Sequence, residues 1–380
     1  MSAASAGGPG SGRDGRNRPR GWLTAPERIA GVDLARGLAV LGMLAAHLLT
    51  IEPFRADDPS TWADVANGRS SILFALLAGV SIGLVTGARS PLSGEGLRVA
   101  RGRLAVRAAM LWVLGVALIA TSVPVYVILP AYAILFLLCL PLLTLRAPQL
   151  WMIAGATALV MPWVQPVLDA SPLWSGAVGG DLALLVGWHY PFPVWFAFIT
   201  AGLAIGRSEL TSRSLQVGLA AGGAGAAALG YGLAAYASRD APGDGGASAV
   251  WTAQAHSNGI LEVIGSGGFA IAALGVSLLV CRTRIAAVLI PIRAVGAMPL
   301  TAYTAQIVVW ALVAAVFLDR TGDLAGFRAL QPWVPFALGT VAGCTAWAFL
   351  FGRGPLESLF AWVARRSMRG RRPRGSDERR

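Results

Sequence analysis

The stretch "DLARGLAVLGMLAAHLL", residues 33–49, places three ionisable side chains on one apolar segment. Asp33 and Arg36 stand near its start, and His47 interrupts a hydrophobic run. At 3.6 residues per helical turn, Arg36 and His47 share one face of a helix, about 16 Å apart along its axis. Charged groups inside a membrane are costly and frequently mark a functional site. The segment therefore predicts a membrane helix that carries a polar, chemically competent face.

The composition of the whole chain supports a membrane location. Its 380 residues are 55% hydrophobic and 13% charged, with a mean hydropathy of +0.62, which is far from the composition of a soluble globule. About 18 apolar residues suffice to cross a bilayer. Runs of this kind predict an all-α, polytopic membrane protein of about ten transmembrane helices, near residues 31–51, 70–87, 104–123, 125–144, 149–168, 190–206, 214–236, 260–281, 297–318 and 333–352.

The basic residues give the expected orientation. All 31 are arginine, and with a cytoplasmic N-terminus only five fall in the loops of the opposite side: Arg55, Arg69, Arg239, Arg320 and Arg328. This asymmetry follows the positive-inside rule and predicts that both termini are cytoplasmic. The net charge of +12 thus reflects topology. The arginine clusters flank helices without interleaved aromatic residues, so no nucleic-acid partner is expected.

The chain divides into one large domain and two tails. Residues 1–27 are rich in glycine, serine and arginine without an apolar core, and predict a disordered cytoplasmic tail rather than a signal peptide. Residues 28–366 form the expected transmembrane domain, and 367–380 a basic cytoplasmic tail near anionic lipid. The three cysteines have no paired spacing, so neither disulfides nor a metal site are expected. Small residues at 218–230 predict close packing of the seventh span.

Arg36 and His47 suggest two different roles at the two ends of the first helix, phosphate binding and proton transfer. A guanidinium near the membrane surface suits phosphate, because its donor fork matches phosphate oxygens. An imidazole deeper in the membrane can accept and return a proton near neutral pH. The alternative is structural: Asp33 and Arg36 pair at a helix end, and His47 bonds to a backbone carbonyl.

His256 and Glu262 are a second pair of candidate catalytic residues. Both stand at the outer entrance of the eighth span, where the carboxylate could orient an imidazole near a substrate. Alternatively, Glu262 interacts with the positive end of the helix dipole. His189 is interpreted as an interfacial cap of the sixth span. We expect His47 to face a polar cavity shared with residues of the eighth and ninth spans such as Glu262, Thr301 and Tyr303.

The segment "RIAGVDLARGLAVLGMLAAHLL" (28–49) resembles the opening helix of the transmembrane acyltransferase superfamily, whose members begin with an arginine, an aspartate and an Arg-Gly pair. The acyltransferase 3 branch adds a histidine after ten intervening residues. Arg28, Asp33, Arg36, Gly37 and His47 match this pattern. Later segments, including "AVGAMPLTAYTAQIVVWAL" (294–312) and "GRGPLESLFAWVAR" (352–365), resemble a bacterial branch catalogued as domain of unknown function 418, which is related to heparan-α-glucosaminide N-acetyltransferase.

The resemblance implies an enzyme of the bacterial cytoplasmic membrane that moves an acyl group, usually acetyl, from cytoplasmic acyl-coenzyme A to an envelope glycan or lipid on the far side. It places Arg36 near the phosphates of the coenzyme, together with Arg28 and Asp33, and His47 near the thioester. His47 would act as a base or become transiently acylated. The heparan enzyme has its proposed catalytic histidine in the loop after the first span, whereas loop 52–69 here contains Trp62 and no histidine. A transporter or flippase for a polar solute or a lipid-linked molecule is the alternative function.

Overall fold

The computed structural model describes residues 22–23, 25, 28–55, 57–240 and 250–369. Most of the predicted N-terminal tail and the residues after 369 of the predicted C-terminal tail lie outside this part of the chain. Within it, the protein forms fifteen α-helices and no β-strand. The helices are α1 Ala30–Leu48, α2 Arg69–Val85, α3 Gly94–Ile119, α4 Leu129–Leu138, α5 Ala147–Asp169, α6 Gly176–Val186, α7 Phe192–Gly206, α8 Arg213–Asp240, α9 Ile260–Val280, α10 Ile285–Val288, α11 Ile290–Ala297, α12 Pro299–Phe317, α13 Leu324–Ala329, α14 Trp333–Leu350 and α15 Pro355–Arg369.

The predicted class, an all-α polytopic membrane protein, is confirmed. In the described residues, eight helices are long and apolar enough to cross a membrane, whereas ten spans were predicted. The spans predicted at 125–144 and 190–206 are the shorter helices α4 and α7. Proline explains both differences, because it lacks the N–H that a helix interior needs. Pro130 stands at the start of α4 and Pro141 lies in the 3₁₀ turn that follows it, while Pro191 immediately precedes α7.

Helix α1 is packed against α2, α9, α11 and α12. Its closest neighbour is α11, where two glycines permit backbone contact. A Cβ atom on Gly37 would collide with the carbonyl oxygen of Ile292, and one on Gly296 would collide with the carbonyl oxygen of Asp33. Small residues allow membrane helices to approach in this way. The glycine after Arg36 is therefore required by packing, and it fixes the position of the arginine.

The predicted packing role of residues 218–230 is confirmed. Gly223 and Gly230 of α8 lie against the backbone of α9, and a Cβ atom on either would collide with main-chain atoms of Ala272 or Gly265. Helix α9 in turn contacts α1 and α2. Small residues thus build the scaffold that holds the ends of α1 and the start of α9 in place.

Candidate active site

The charged end of α1 is organised around Asp33, which is 3% exposed. The guanidinium of Arg28 donates to both carboxylate oxygens of Asp33, at 2.8 and 2.9 Å, and stacks on the ring of Trp22. Arg36 donates to the same carboxylate at 3.2 Å and to the Ser81 hydroxyl at 2.7 Å. One buried carboxylate therefore orients two guanidinium groups. These partners are needed because a buried charge without an ion-pair partner is strongly destabilising. Asp33 itself is better suited to positioning these cations than to contacting an anion.

Arg28 and Arg36 open into a cavity of about 500 Å³, which Arg107 of α3 and Arg353 also line. We call it the arginine cavity. Neither Arg107 nor Arg353 makes a side-chain hydrogen bond or ion pair within the described part of the chain. The four guanidinium groups face two carboxylates, Asp33 and Glu357, so an unbalanced positive charge remains. Such a cavity is suited to a phosphate-bearing ligand.

The carboxylate of Glu357 is occupied by protein contacts. It accepts hydrogen bonds from the backbone N–H groups of Leu300 and Thr301, at 2.8 and 3.1 Å, and from the Thr301 hydroxyl. A carboxylate at the first turn of a helix satisfies exposed N–H groups and interacts favourably with the helix dipole. Glu357 thereby fixes the start of α15 to the start of α12, and this junction closes one side of the arginine cavity.

A second cleft adjoins the arginine cavity. It has a volume of about 610 Å³, shares Arg107 and Arg353 with the arginine cavity, and adds Arg103 and Arg365. Its remaining lining is mostly apolar, from α3 and α15. Together the two spaces are lined by six arginines and by three acids, Asp33, Glu95 and Glu357, so the excess of positive charge extends from one space into the other.

The other end of α1 borders a cavity of about 470 Å³, which we call the histidine cavity. The chain contains three histidines, and all three, His47, His189 and His256, line this cavity. They arrive from three separate places, namely the end of α1, the loop before α7 and the loop before α9. The convergence brings together every imidazole of the protein.

His47 occupies the last turn of α1 and is partly exposed. Its main-chain carbonyl accepts two hydrogen bonds from the guanidinium of Arg328 on α13, at 3.0 and 3.2 Å. The last carbonyl groups of a helix lack partners within that helix, so a cation satisfies them well. Arg328 thus anchors the backbone of His47. The imidazole makes no hydrogen bond with the described residues and stays available to a ligand.

Glu262 holds the loop that carries His256. Its carboxylate accepts hydrogen bonds from the backbone N–H groups of His256 and Asn258, both at 2.7 Å, and from the Ser257 hydroxyl at 3.1 Å. His256 and Asn258 adopt positive φ angles of 65° and 58°, a strained conformation for residues with side chains. The bonds from Glu262 stabilise this conformation. Burial lowers the pKa of His256 below its ordinary value, so the imidazole is neutral at pH 7 and able to accept a proton.

Aromatic and acidic groups complete the histidine cavity. His189 stacks on Tyr126, with ring centroids 3.5 Å apart, and burial lowers its pKa. Trp188 donates its indole N–H to Asp169 at 2.8 Å, and both residues line the cavity. A neutral imidazole, a carboxylate and aromatic faces could bind a polar molecule that carries a hydroxyl or amine.

The expected neighbours of His47 are partly wrong. His47 faces a polar cavity as expected, but Glu262, Thr301 and Tyr303 do not line it. Thr301 lies at the start of α12, beside the arginine cavity. Tyr303 is buried, and its hydroxyl accepts a hydrogen bond from the backbone N–H of Ile128. Glu262 lies beneath the His256 loop and contacts the main chain of His256 rather than its ring.

Other residues of the two cavities were missed from the sequence. No motif or helical spacing in the sequence singles out Arg107, Arg353 or Asp169, which line the two cavities. His189 was interpreted as an interfacial cap, yet it shares the cavity with His47. One available signal was that two of the three histidines occur in loops assigned to the same side of the membrane as the end of the first span.

Two family models match the chain. The family described as heparan-alpha-glucosaminide N-acetyltransferase, catalytic, matches residues 28–231, and the family described as protein of unknown function (DUF418) matches residues 204–367. No curated protein and no solved structure matches the chain. The first match contains α1 to α7 and spans more than half of the sequence. The chain belongs to the family of heparan-α-glucosaminide N-acetyltransferase catalytic domains, which are membrane acetyltransferases.

Proposed function

We propose that this protein transfers an acyl group, most simply acetyl, from acyl-coenzyme A to a glycan or lipid of the cell envelope. The donor would enter the arginine cavity from the cytoplasm, and the acceptor would enter the histidine cavity from the outer side of a bacterial cytoplasmic membrane. One observation carries the proposal: α1 has a cluster of guanidinium groups at one end and the three imidazoles of the chain around its other end.

The arginine cavity supports the choice of donor. Coenzyme A carries several phosphate groups at one end and a thiol at the end of a long pantetheine arm, which combines methylene and methyl groups with two amides. Arg107 and Arg353 are free to bind the phosphates, while Arg28 and Arg36 are held in place by Asp33. The apolar walls of the adjoining cleft suit the rest of the molecule. The arm would then direct the thioester along α1 towards His47.

The histidine cavity supports the transfer step. The acceptor hydroxyl or amine attacks the thioester carbonyl and His47 accepts its proton. The C–S bond then breaks, and His47 returns this proton to the sulfur, so that coenzyme A leaves as the free thiol. His256 is neutral and provides a second acceptor of protons or hydrogen bonds. In the alternative sequence, the imidazole of His47 is acylated first and the acceptor then displaces it.

The test uses the purified full chain in lipid nanodiscs with radiolabelled acetyl-coenzyme A. Glucosamine serves as the acceptor probe, because the family description names a glucosaminide. We expect release of free coenzyme A thiol and formation of labelled acetylglucosamine, with slow thioester hydrolysis when glucosamine is omitted. His47→Ala should abolish thiol release while acetyl-coenzyme A still binds. An acylated enzyme that accumulates without acceptor would identify the two-step route.

A control variant separates site effects from damage to the fold. Arg89 forms an exposed ion pair with Glu209 outside both cavities, so Arg89→Ala should retain wild-type activity. Wild-type protein that neither binds acetyl-coenzyme A nor cleaves it would contradict the proposal. Uptake of a polar solute into proteoliposomes under the same conditions would then favour the transporter.

A further inference from the structure

The two cavities approach each other closely along α2. Ser71 lines the histidine cavity and Phe74 lines the arginine cavity. These residues are one helical turn apart, which corresponds to about 4.5 Å along the axis. On α1 the nearest lining residues are Arg36 and Met43, roughly 10 Å apart along the helix. A short route between the cavities therefore runs beside Phe74.

Two aromatic rings, Phe74 and Tyr132, lie on this route, and we call this pair the partition. Their ring centroids are 5.6 Å apart and their planes are inclined by 46°. Tyr132 of α4 also lines the arginine cavity, is 2% exposed, and donates its hydroxyl to the carbonyl of Ser71 at 3.4 Å. It thus contacts the walls of both cavities.

The ring of Tyr132 can move without disturbing the surrounding helices. An O–H···O hydrogen bond is ordinarily about 2.7–2.8 Å long, so the bond from Tyr132 at 3.4 Å is weak and its loss costs little. The Ser71 carbonyl belongs to α2 and has a helical partner, so it is not left unsatisfied when the phenol moves. Rotation of the Tyr132 ring would open a gap between the cavities, and the Phe74 ring would limit the width of that gap.

We propose that Phe74 and Tyr132 form the acyl pocket and restrict the donor to short acyl groups. This inference rests on the proposed function, since it concerns the thioester of a donor in the arginine cavity. The acyl chain would lead the thioester between the rings, and a two-carbon acetyl group needs the smallest ring movement to pass. A longer acyl chain would collide with the ring of Phe74 before its carbonyl reaches the histidine cavity. The apolar rings also keep bulk water away from the thioester.

Acyl-chain selectivity tests the inference. We would measure thiol release from acetyl- and butyryl-coenzyme A, with glucosamine as acceptor, and compare kcat/KM. Phe74→Ala should raise the butyryl-to-acetyl ratio by roughly tenfold or more, since one or two methylene groups are discriminated on that scale in apolar pockets. Tyr132→Phe keeps both rings and should leave this ratio unchanged. Phe74→Leu, which fills more of the space than alanine, should change the ratio in the same direction if Phe74→Ala does not fold.

Phe136 provides the matched control. It lines the same cavity on α4, one turn beyond Tyr132 and away from the histidine cavity, so Phe136→Ala should leave the ratio unchanged whatever it does to the rates. An unchanged ratio in the Phe74 variants, or an equal increase in Phe136→Ala, would overturn the acyl-pocket assignment and leave the proposed function intact. Wild-type protein that cleaves no thioester would remove both.

Discussion

Arg107 offers a direct test of donor binding, because its guanidinium is free. Arg107→Ala removes a cation from the arginine cavity without breaking a hydrogen bond or ion pair among the described residues. A hydrogen bond between charged groups contributes about 1.5–3 kcal/mol, and 1.4 kcal/mol is a tenfold change in affinity. We therefore expect the Kd for coenzyme A to rise by about 10- to 100-fold, towards the lower limit because the cavity is open to solvent.

The assay is calorimetric titration of coenzyme A into the full chain in nanodiscs. Arg89→Ala removes one surface arginine of equal charge outside the cavity, and it should leave the Kd unchanged. Acetyl-pantetheine, which lacks the nucleotide phosphates, should bind the wild type and Arg107→Ala equally. Added salt should weaken coenzyme A binding to the wild type more than to Arg107→Ala. An equal Kd for Arg107→Ala and wild type would refute the assignment of phosphate binding to this cavity.

Three further predictions concern packing, loop geometry and proton transfer. Gly37→Leu should lower thermal stability in detergent, by about 1–3 kcal/mol or more, because the side chain collides with the Ile292 carbonyl; an unchanged melting temperature would contradict this packing. Glu262→Ala leaves the N–H groups of the His256 loop without their acceptor, so it should reduce kcat and speed proteolysis of that loop. Equal rates of cleavage in the variant and the wild type would contradict a stabilising role of Glu262 for this loop. Burial lowers the pKa of His256 from its ordinary value of 6.5. If catalysis needs this imidazole neutral, kcat/KM should decline on acidification only below pH 6.5, and His256→Ala should change the acidic limb of the pH profile. A decline centred above pH 6.5 would show that His256 is not the group that titrates.

The long helices could be predicted because their apolar runs are close to the thickness of a bilayer. Eight of the ten expected spans correspond to helices of sufficient length. The other two include proline near a helix end, and hydropathy does not register the lost backbone donor. The hydrophobic pattern therefore located α4 and α7 correctly but overestimated the length of α4.

The site was predictable where it depends on one helix. Arg36 and His47 lie on α1, and helical periodicity alone relates them. The contributions of Arg107 of α3 and Arg353, which precedes α15, depend on how α3 and α15 pack against each other, which local sequence does not encode. Thr301 was expected beside His47, but α12 starts at the same end of the bundle as Arg36, so its first turn belongs to the arginine cavity.

The anchoring of α1 constrains how the molecule can change shape. Near its start, Arg36 donates a hydrogen bond to Ser81 of α2. Gly37 is in backbone contact with α11, and the main-chain carbonyl of His47 near the other end is held by Arg328. A sliding or tilting stroke of this helix would have to break all three attachments together. Alternating access by a rocking motion of α1 is therefore disfavoured. A catalytic cycle would rely on rotamer changes of side chains around an α1 backbone that stays in place.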